Sequence, residues 1–303
     1  MDLPVTVIGG YLGAGKTTLV NHLLRHNEGR RLAVLVNEFG DLPIDADLIE
    51  AQEGGMMSIS GGCVCCAFGS DLIGALQDMQ AMQPQPDHVL IEASGVALPA
   101  SIATTVSMIK GLRSDGVLVL ADAEQIRANA AHTYLADTIE RQLAQADLLL
   151  LTKVDLVSET DLATVTEWLR GKVNRARIVP VSQGAVPISA VLGAVPLPAR
   201  RGVQPDDVGH GLFASVVLEP GGNTNAETLA RALAQEPCVT RAKGFVTTRA
   251  GYALIHVVGH RHAVEHVAGD HTVGVVCIGL KDGFAPERLH GLIAHTSAQR
   301  ENS

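Results

Sequence analysis

Two hydrophobic periods alternate along the first two thirds of the chain. Residues 3–8, 31–37, 89–92, 116–121, 148–151 and 178–181 are short apolar runs rich in Val, Ile and Leu, and read as buried strands; a shorter strand is expected at 57–60. Between them, apolar residues recur every three or four positions. Leu19, Leu23 and His26 would share one helical face, as would Leu72, Leu76 and Met79 over residues 71–82. Residues 135–146 read as a helix, and Ser158-Glu159-Thr160-Asp161 opens another in capping-box style, with Leu162, Val165 and Leu169 following at helical spacing. Pro84 and Pro86 close the helix before residue 89, and Gly29 the first. Alternating strand-like and helix-like runs predict a doubly wound α/β domain with a mostly parallel sheet.

The pattern breaks at residues 194–210, where Pro196, Pro198, Pro205, Arg200, Arg201, Asp206 and Asp207 replace the apolar runs. This reads as a linker between a first domain, 1–193, and a second, 211–303. In the second, strands are expected at 213–218, 243–248, 252–258 and 272–278, with helices capped at Thr224-Asn225-Ala226-Glu227 and opening at Pro286, a small α+β unit. A polar tail follows Thr296. The chain's 303 residues are 47% hydrophobic but only 3% aromatic, so its cores must be aliphatic. A net charge of −9 argues against nucleic acid or an anionic membrane as main partner. No apolar run is long enough to cross a bilayer, and Met1-Asp2-Leu3-Pro4 does not resemble a secretory leader, so a cytoplasmic protein is expected.

Between the first strand and the first helix stands Gly10-Tyr11-Leu12-Gly13-Ala14-Gly15-Lys16-Thr17, a complete G-x-x-x-x-G-K-[ST] loop. Its glycines let backbone N–H groups approach an anion, the helix N-terminus adds partial positive charge, Lys16 reaches β- and γ-phosphates, and Thr17 can ligate Mg²⁺. Residues 89–92 end in Glu92, a carboxylate placed to hold Mg²⁺, with Ser94-Gly95 facing a γ-phosphate. Glu38, ending the second strand, is expected at the same crevice, because strand carboxyl ends line the ligand site of such sheets. Thr152-Lys153-Val154-Asp155 follows a core strand late in the sheet. There an Asp can accept both the ring N–H and the exocyclic amine of guanine, while a Lys stem covers the ring. A solvated loop is the plain alternative. Thr152, in place of the more usual Asn, lacks an amide that can bridge base and phosphate loop, so relaxed base selectivity is expected.

Three of the five cysteines crowd into Gly61-Gly62-Cys63-Val64-Cys65-Cys66. Thiolates two apart in an extended segment point the same way, and a turn at the glycines brings the third round. Three sulfurs with one water, carboxylate or imidazole make a tetrahedral site that favours a borderline to soft ion over Mg²⁺. A thiol redox sensor is the alternative. Cys238 and Cys277 read as core residues.

Together, the phosphate loop, Asn37-Glu38-Phe39-Gly40, the C-x-C-C segment, Ile91-Glu92-Ala93-Ser94-Gly95 and Thr152-Lys153-Val154-Asp155 resemble the CobW-like P-loop GTPases; Arg241-Ala242-Lys243-Gly244-Phe245 looks like a segment of that family's second domain. Four differences stand beside the likeness: Thr152 itself, Gly69 where many relatives carry Arg, Leu98 where many carry Asp, and the lack of the contiguous polyhistidine stretch frequent in relatives. The resemblance implies a GTPase that delivers a divalent transition metal to the apo form of a client metalloenzyme. GTP would rest on Gly13, Ala14, Gly15, Lys16, Thr17 and Thr18, with its base at Thr152, Lys153 and Asp155. Mg²⁺ would sit on Thr17 and Glu92, and Glu38 or Asp45 would orient the attacking water beside Lys16. The cargo, Zn²⁺, Co²⁺, Ni²⁺ or Fe²⁺, would bind Cys63, Cys65 and Cys66, with Glu38 nearby. A monomer or a nucleotide- or metal-dependent dimer fits this reading, and a P-loop phosphotransferase is the competing enzyme class. Seven of twelve histidines fall between His256 and His295, and His262-Ala263-Val264-Glu265-His266 spells H-x-x-E-H. A protease is rejected because the phosphate loop already claims the active crevice; surface histidines are expected in preference to a metal-collecting patch.

Overall fold

A computed structural model describes residues 2–37, 56–59, 70–173, 176–193 and 212–297. The chain divides into two compact units, Met1–Val186 and Pro187–Ser303. The change of composition expected at residue 194 and this division differ by one short helix, Ile188–Leu192.

The first unit is built on a seven-stranded sheet in the order β3-β2-β4-β1-β5-β6-β7, and every pairing in it is parallel. Its strands are β1 (Leu3–Gly10), β2 (Leu32–Asn37), β3 (Met56–Ile59), β4 (His88–Glu92), β5 (Leu112–Asp122), β6 (Leu148–Thr152) and β7 (Arg177–Val181). Five of the six apolar runs read from the sequence become interior strands of this sheet, and the sixth, 178–181, becomes the edge strand β7. Helices α1 (Lys16–Arg25), α2 (Ser70–Ala81), α5 (Ala136–Ala144) and α6 (Glu159–Arg170) lie where the threefold-to-fourfold spacing put them. Leu72, Leu76 and Met79 are buried as expected. On α1 the buried stripe is Lys16, Leu19, Val20 and Leu23. His26 is instead exposed at the C-cap, and its ring stacks on that of His22 at 4.3 Å. Ser158 caps α6, its Oγ accepting from the Asp161 N–H at 3.1 Å.

Helix α3 (Pro99–Met108) has no counterpart in the sequence reading. Its propensity is poor, and the hydroxyls of Thr104, Thr105 and Ser107 each donate back to the carbonyl four residues earlier. Tertiary packing supplies what propensity does not: Pro99, Ile102, Ala103 and Val106 form the buried stripe. A proline at the first helical turn followed by that spacing was the available signal. A short α4 (Ile126–Ala131) precedes α5. From α5 the buried Gln142 donates through Nε2 to Gly95 O at 3.0 Å and Ala97 O at 2.8 Å, fixing the loop that follows β4.

The second unit starts with α7 (Ile188–Leu192) and carries a five-stranded antiparallel sheet ordered β11-β10-β9-β12-β8. Its strands are β8 (Phe213–Leu218), β9 (Arg241–Thr248), β10 (Gly251–Val258), β11 (Arg261–Val267) and β12 (Gly274–Leu280). Helices α8 (Ala226–Gln235) and α9 (Pro286–Ser297) complete it. Leu229, Leu233 and Leu289 meet Val246, Ile255, Val257 and Val275 in one core, which also contains Cys277. Burial pushes the Cys277 thiol far above its ordinary range, as befits a packing residue. Arg241, Lys243 and His256 alternate with these core positions along β9 and β10 and are buried too. Arg241 donates to Val191 O at 2.7 Å, which ties β9 to α7.

Replacing Gln142 with Leu keeps the side-chain volume but removes the donors to two carbonyls. The variant is expected to lose about 1–3 kcal/mol of stability, read as a lower urea midpoint with an unchanged denaturant slope.

Candidate nucleotide site

The site occupies the carboxyl edge of the parallel sheet, where β1 lies between β4 and β5, the point at which the strand order reverses. Gly10, Gly13 and Gly15 have φ of 134°, 74° and 92°. At Gly10 the space is closed as well: a Cβ there would stand 2.5 Å from Leu120 O on the neighbouring strand. Only glycine lets the chain leave β1 in this direction. Gly15 is the N-cap of α1 and no side chain caps that helix, so its leading N–H groups face the loop. Lys16 is buried to 9% exposure, and its Nζ donates to Gly10 O at 3.1 Å and Tyr11 O at 3.3 Å. The ammonium is folded back over the loop it belongs to.

β4 delivers Glu92 level with Ile8 of β1 and Val36 of β2, in the middle of the sheet. Glu92 is buried, and its Oε1 accepts from Thr17 Oγ1 at 2.8 Å. A hydroxyl and a carboxylate oxygen side by side at the mouth of an anion-binding loop are the hard-oxygen donors that Mg²⁺ takes when shared with phosphate oxygens, so these residues fit that ion. Ala93 N donates to Ile8 O at 2.9 Å, and Gly95 lies so near the phosphate loop that a Cβ on it would meet Leu12 Cδ2 at 2.6 Å and Leu12 N at 2.9 Å. The loop after β4 therefore touches the phosphate loop directly, and Gln142 holds it from behind.

Thr152 is buried at the end of β6. Its Oγ1 donates to Ala14 O at 2.8 Å, so the hydroxyl ties the end of β6 to the phosphate loop. Next to it, Lys153 takes φ 58°, in the left-handed region, and starts a 3-10 turn over Val154–Leu156. Asp155 on that turn is exposed, and its carboxylate makes no hydrogen bond among the described residues. Its acceptor oxygens are thus available to a ligand.

Three contributors were not found by sequence reasoning. Asp122 ends β5, is buried, and accepts from Lys153 Nζ at 2.7 Å. Gln142 supports the loop after β4. Gly184, φ 71°, lies in the loop after β7, where a Cβ would come within 3.2 Å of Thr18 O, so this loop rests on the start of α1. An acidic residue closing an apolar strand was the only available signal for Asp122, and a Gln-Gly pair after a strand for Gly184. Glu38, Asp45, Cys63, Cys65 and Cys66 lie outside the described residues. Thr17, Glu92, Lys16, Thr152 and Lys153 are brought together.

Among the described residues, the histidine-rich region gathers no comparable site. His262 and His266 lie on β11, an edge strand, so the four-residue spacing that would align them on a helix separates them by about 13 Å along a strand. His262 Nε2 is 3.0 Å from Glu227 Oε1, which holds the Glu227 carboxyl below its ordinary range, first through that hydrogen bond. His260, His266 and His290 are exposed, as expected, whereas His256 is buried and the half-buried His271 stacks on Phe245 at 4.2 Å. Among the described residues no three His, Cys, Asp or Glu side chains are grouped to hold a metal ion, and no helix is long and apolar enough to cross a membrane.

The chain is similar in sequence to several known proteins. The zinc chaperone CobW of Pseudomonas aeruginosa is 34% identical over 223 residues, covering 63% of this chain and 60% of that protein. The zinc chaperone YjiA of Escherichia coli is 33% identical over 192 residues, covering 61% and 59%. The zinc-regulated GTPase metalloprotein activator 1 of Schizosaccharomyces pombe is 33% identical over 196 residues, covering 60% and 46%. The chain therefore spans less than two thirds of the length of each of these relatives. Residues 4–180 match the family described as CobW/HypB/UreG, nucleotide-binding domain. That stretch contains the phosphate loop, Glu92, Asp122 and the loop at Thr152, and the chain belongs to the CobW/HypB/UreG family.

Proposed function

We propose that this chain hydrolyses GTP with Mg²⁺ in the cytoplasm and uses the cycle to hand a divalent transition metal to a client metalloenzyme. The observation that carries the reading is the Thr17 Oγ1–Glu92 Oε1 pair at 2.8 Å beside the buried Lys16. It sets hard-oxygen cation ligands at the mouth of an anion cradle. Thr17 and Glu92 would hold Mg²⁺, which when bound withdraws charge from the phosphate oxygens. Lys16 and the amides from Gly13 to Thr18 bind the phosphates and stabilise the charge that develops on the transferred group. Asp155 accepts the two guanine donors, and Lys153 covers the ring. Glu38 and Asp45 follow β2 in the chain, and one of them orients the attacking water.

The cargo binds Cys63, Cys65 and Cys66, whose thiolates suit Zn²⁺, Co²⁺, Ni²⁺ or Fe²⁺. Three things support coupling of cargo to nucleotide. Asn37 and Ile59 are in register at the ends of β2 and β3, so the chain leaves both strands at the sheet edge that carries Glu92. The acidic and cysteine segments are the ones that follow those strands. Curated relatives of similar sequence carry the names zinc chaperone and zinc-regulated GTPase metalloprotein activator. Loss of the γ-phosphate contact would loosen these segments and release the ion. Turnover by the isolated chain is slow in this reading, since no arginine finger stands among the motifs.

Three outcomes test the proposal. Glu92→Gln should slow single-turnover GTP hydrolysis by roughly 100-fold or more, with GDP affinity changed only a few-fold; equal losses in both would reduce Glu92 to a binding role. Thr152→Val removes the bond to Ala14 O and should speed nucleotide dissociation about fivefold, measured with a fluorescent GDP analogue. Cys65→Ala should abolish the dependence of metal affinity on a non-hydrolysable GTP analogue while nucleotide binding persists. Unchanged metal affinity in the nucleotide-bound variant would refute the coupling, and phosphate transfer to an acceptor without hydrolysis would point to a phosphotransferase.

A further inference from the structure

We infer that Asp122 is the positioning residue that sets purine affinity, acting through Lys153; this rests on the guanine-nucleotide reading of the site. Asp122 is the last residue of β5 and pairs in register with Thr152. It is 6% exposed, and both carboxylate oxygens are used. Oδ1 accepts from the Glu124 N–H at 2.9 Å, which fixes the carboxylate's orientation, and Oδ2 accepts from Lys153 Nζ at 2.7 Å. The backbone between them is closed by Ala123 N donating to Thr152 O at 3.0 Å.

Lys153 is consequently tethered at both ends. Its backbone sits in the left-handed region, which a side chain with a Cβ seldom adopts, at φ 58°. Its ammonium is held on a buried carboxylate. The side chain keeps a third of its surface exposed; in this inference the four-carbon stem offers that surface, because the head is held on Asp122. A lysine on an exposed loop is otherwise among the most mobile side chains, and a purine settling on it would have to order it. The ion pair orders it beforehand, so a ring that stacks there meets a preformed apolar floor. It also keeps the lysine charge on Asp122 and off the phosphates. The floor supports any purine alike, whereas Asp155, exposed on the following turn, reads the guanine edge.

This division of labour separates Asp122 from a merely structural acid. Asp122→Asn retains an oxygen for the Glu124 N–H but removes the charge facing Lys153. It should weaken GDP, GTP and IDP binding by a similar factor, about tenfold, because the floor is blind to both the phosphate count and the exocyclic amine. The loss should appear as a rise in KM larger than any fall in kcat. Lys153→Ala should produce a loss of the same size, and combining it with Asp122→Asn should add little, since both remove one device. Asp155→Asn, in contrast, should weaken GDP more than IDP. Losses from Asp122→Asn and Lys153→Ala that multiply in the double variant would overturn the inference. So would a loss confined to GTP, or a fall in kcat with KM unchanged. Should Asp122→Asn prove unstable, Lys153→Ala against Lys153→Arg decides: arginine keeps the ion pair and should restore most of the affinity. A wild-type chain that fails to bind GDP would overturn the site reading itself, whereas wild-type binding with additive variants would overturn only the role of Asp122.

Discussion

The site depends on a steric constraint at one position. Gly10 ends the central strand β1 in register with Leu120 of β5, and a side chain there would collide with the Leu120 carbonyl. With hydrogen alone at that position, the backbone turns at positive φ and lays the next five residues across the sheet edge. The same logic recurs on the other flank, where Gly95 of the loop after β4 lies against Leu12. A phosphate loop held this closely against β5 and the loop after β4 presents its amides in a fixed arrangement, which is what anion binding requires.

Around that loop the structure places tethers more than new chemistry. Thr152 reaches across to Ala14 O, Gln142 spans two carbonyls of the loop after β4, and Gly184 allows the loop after β7 to rest on the start of α1. Each joins elements that a parallel sheet aligns but does not itself lock. Glu92 and Asp122 end the two strands beside β1, and each buried carboxylate receives one donor from the ligand-facing side, Thr17 or Lys153. Buried carboxylates are costly unless bonded in this way, so both pairs hold their partners in place.

The second unit uses its charged residues differently. Arg241, Lys243 and His256 stand on the strand positions that alternate with the aliphatic core, and Arg241 secures α7 through Val191 O. The H-x-x-E-H spelling lost its chemical meaning once residues 261–267 were found in a strand, because period two and period 3.6 place the same letters in unlike positions.

Local features were legible in the chain alone. The apolar runs, the helical stripes on α2 and α6, the Ser158 cap and the glycine demands of the phosphate loop each depend on a few neighbouring residues, whose backbone and burial requirements are written in sequence. α3 escaped because its residues favour helix only when packed. The site's decisive contacts escaped for another reason: Thr17 meets Glu92 over a separation of 75 residues, Lys153 meets Asp122 over 31, and Thr152 meets Ala14 over 138. Residue types could nominate Thr17, Glu92 and Lys153, but only strand order and register decide which side chains share an edge. Register is a property of the whole sheet, fixed by packing on both faces. The sequence by itself determined that a phosphate loop opens a parallel α/β unit. Tertiary structure decided that its lysine folds back on the loop, that Thr152 bonds to Ala14 O, and that Asp122 meets Lys153.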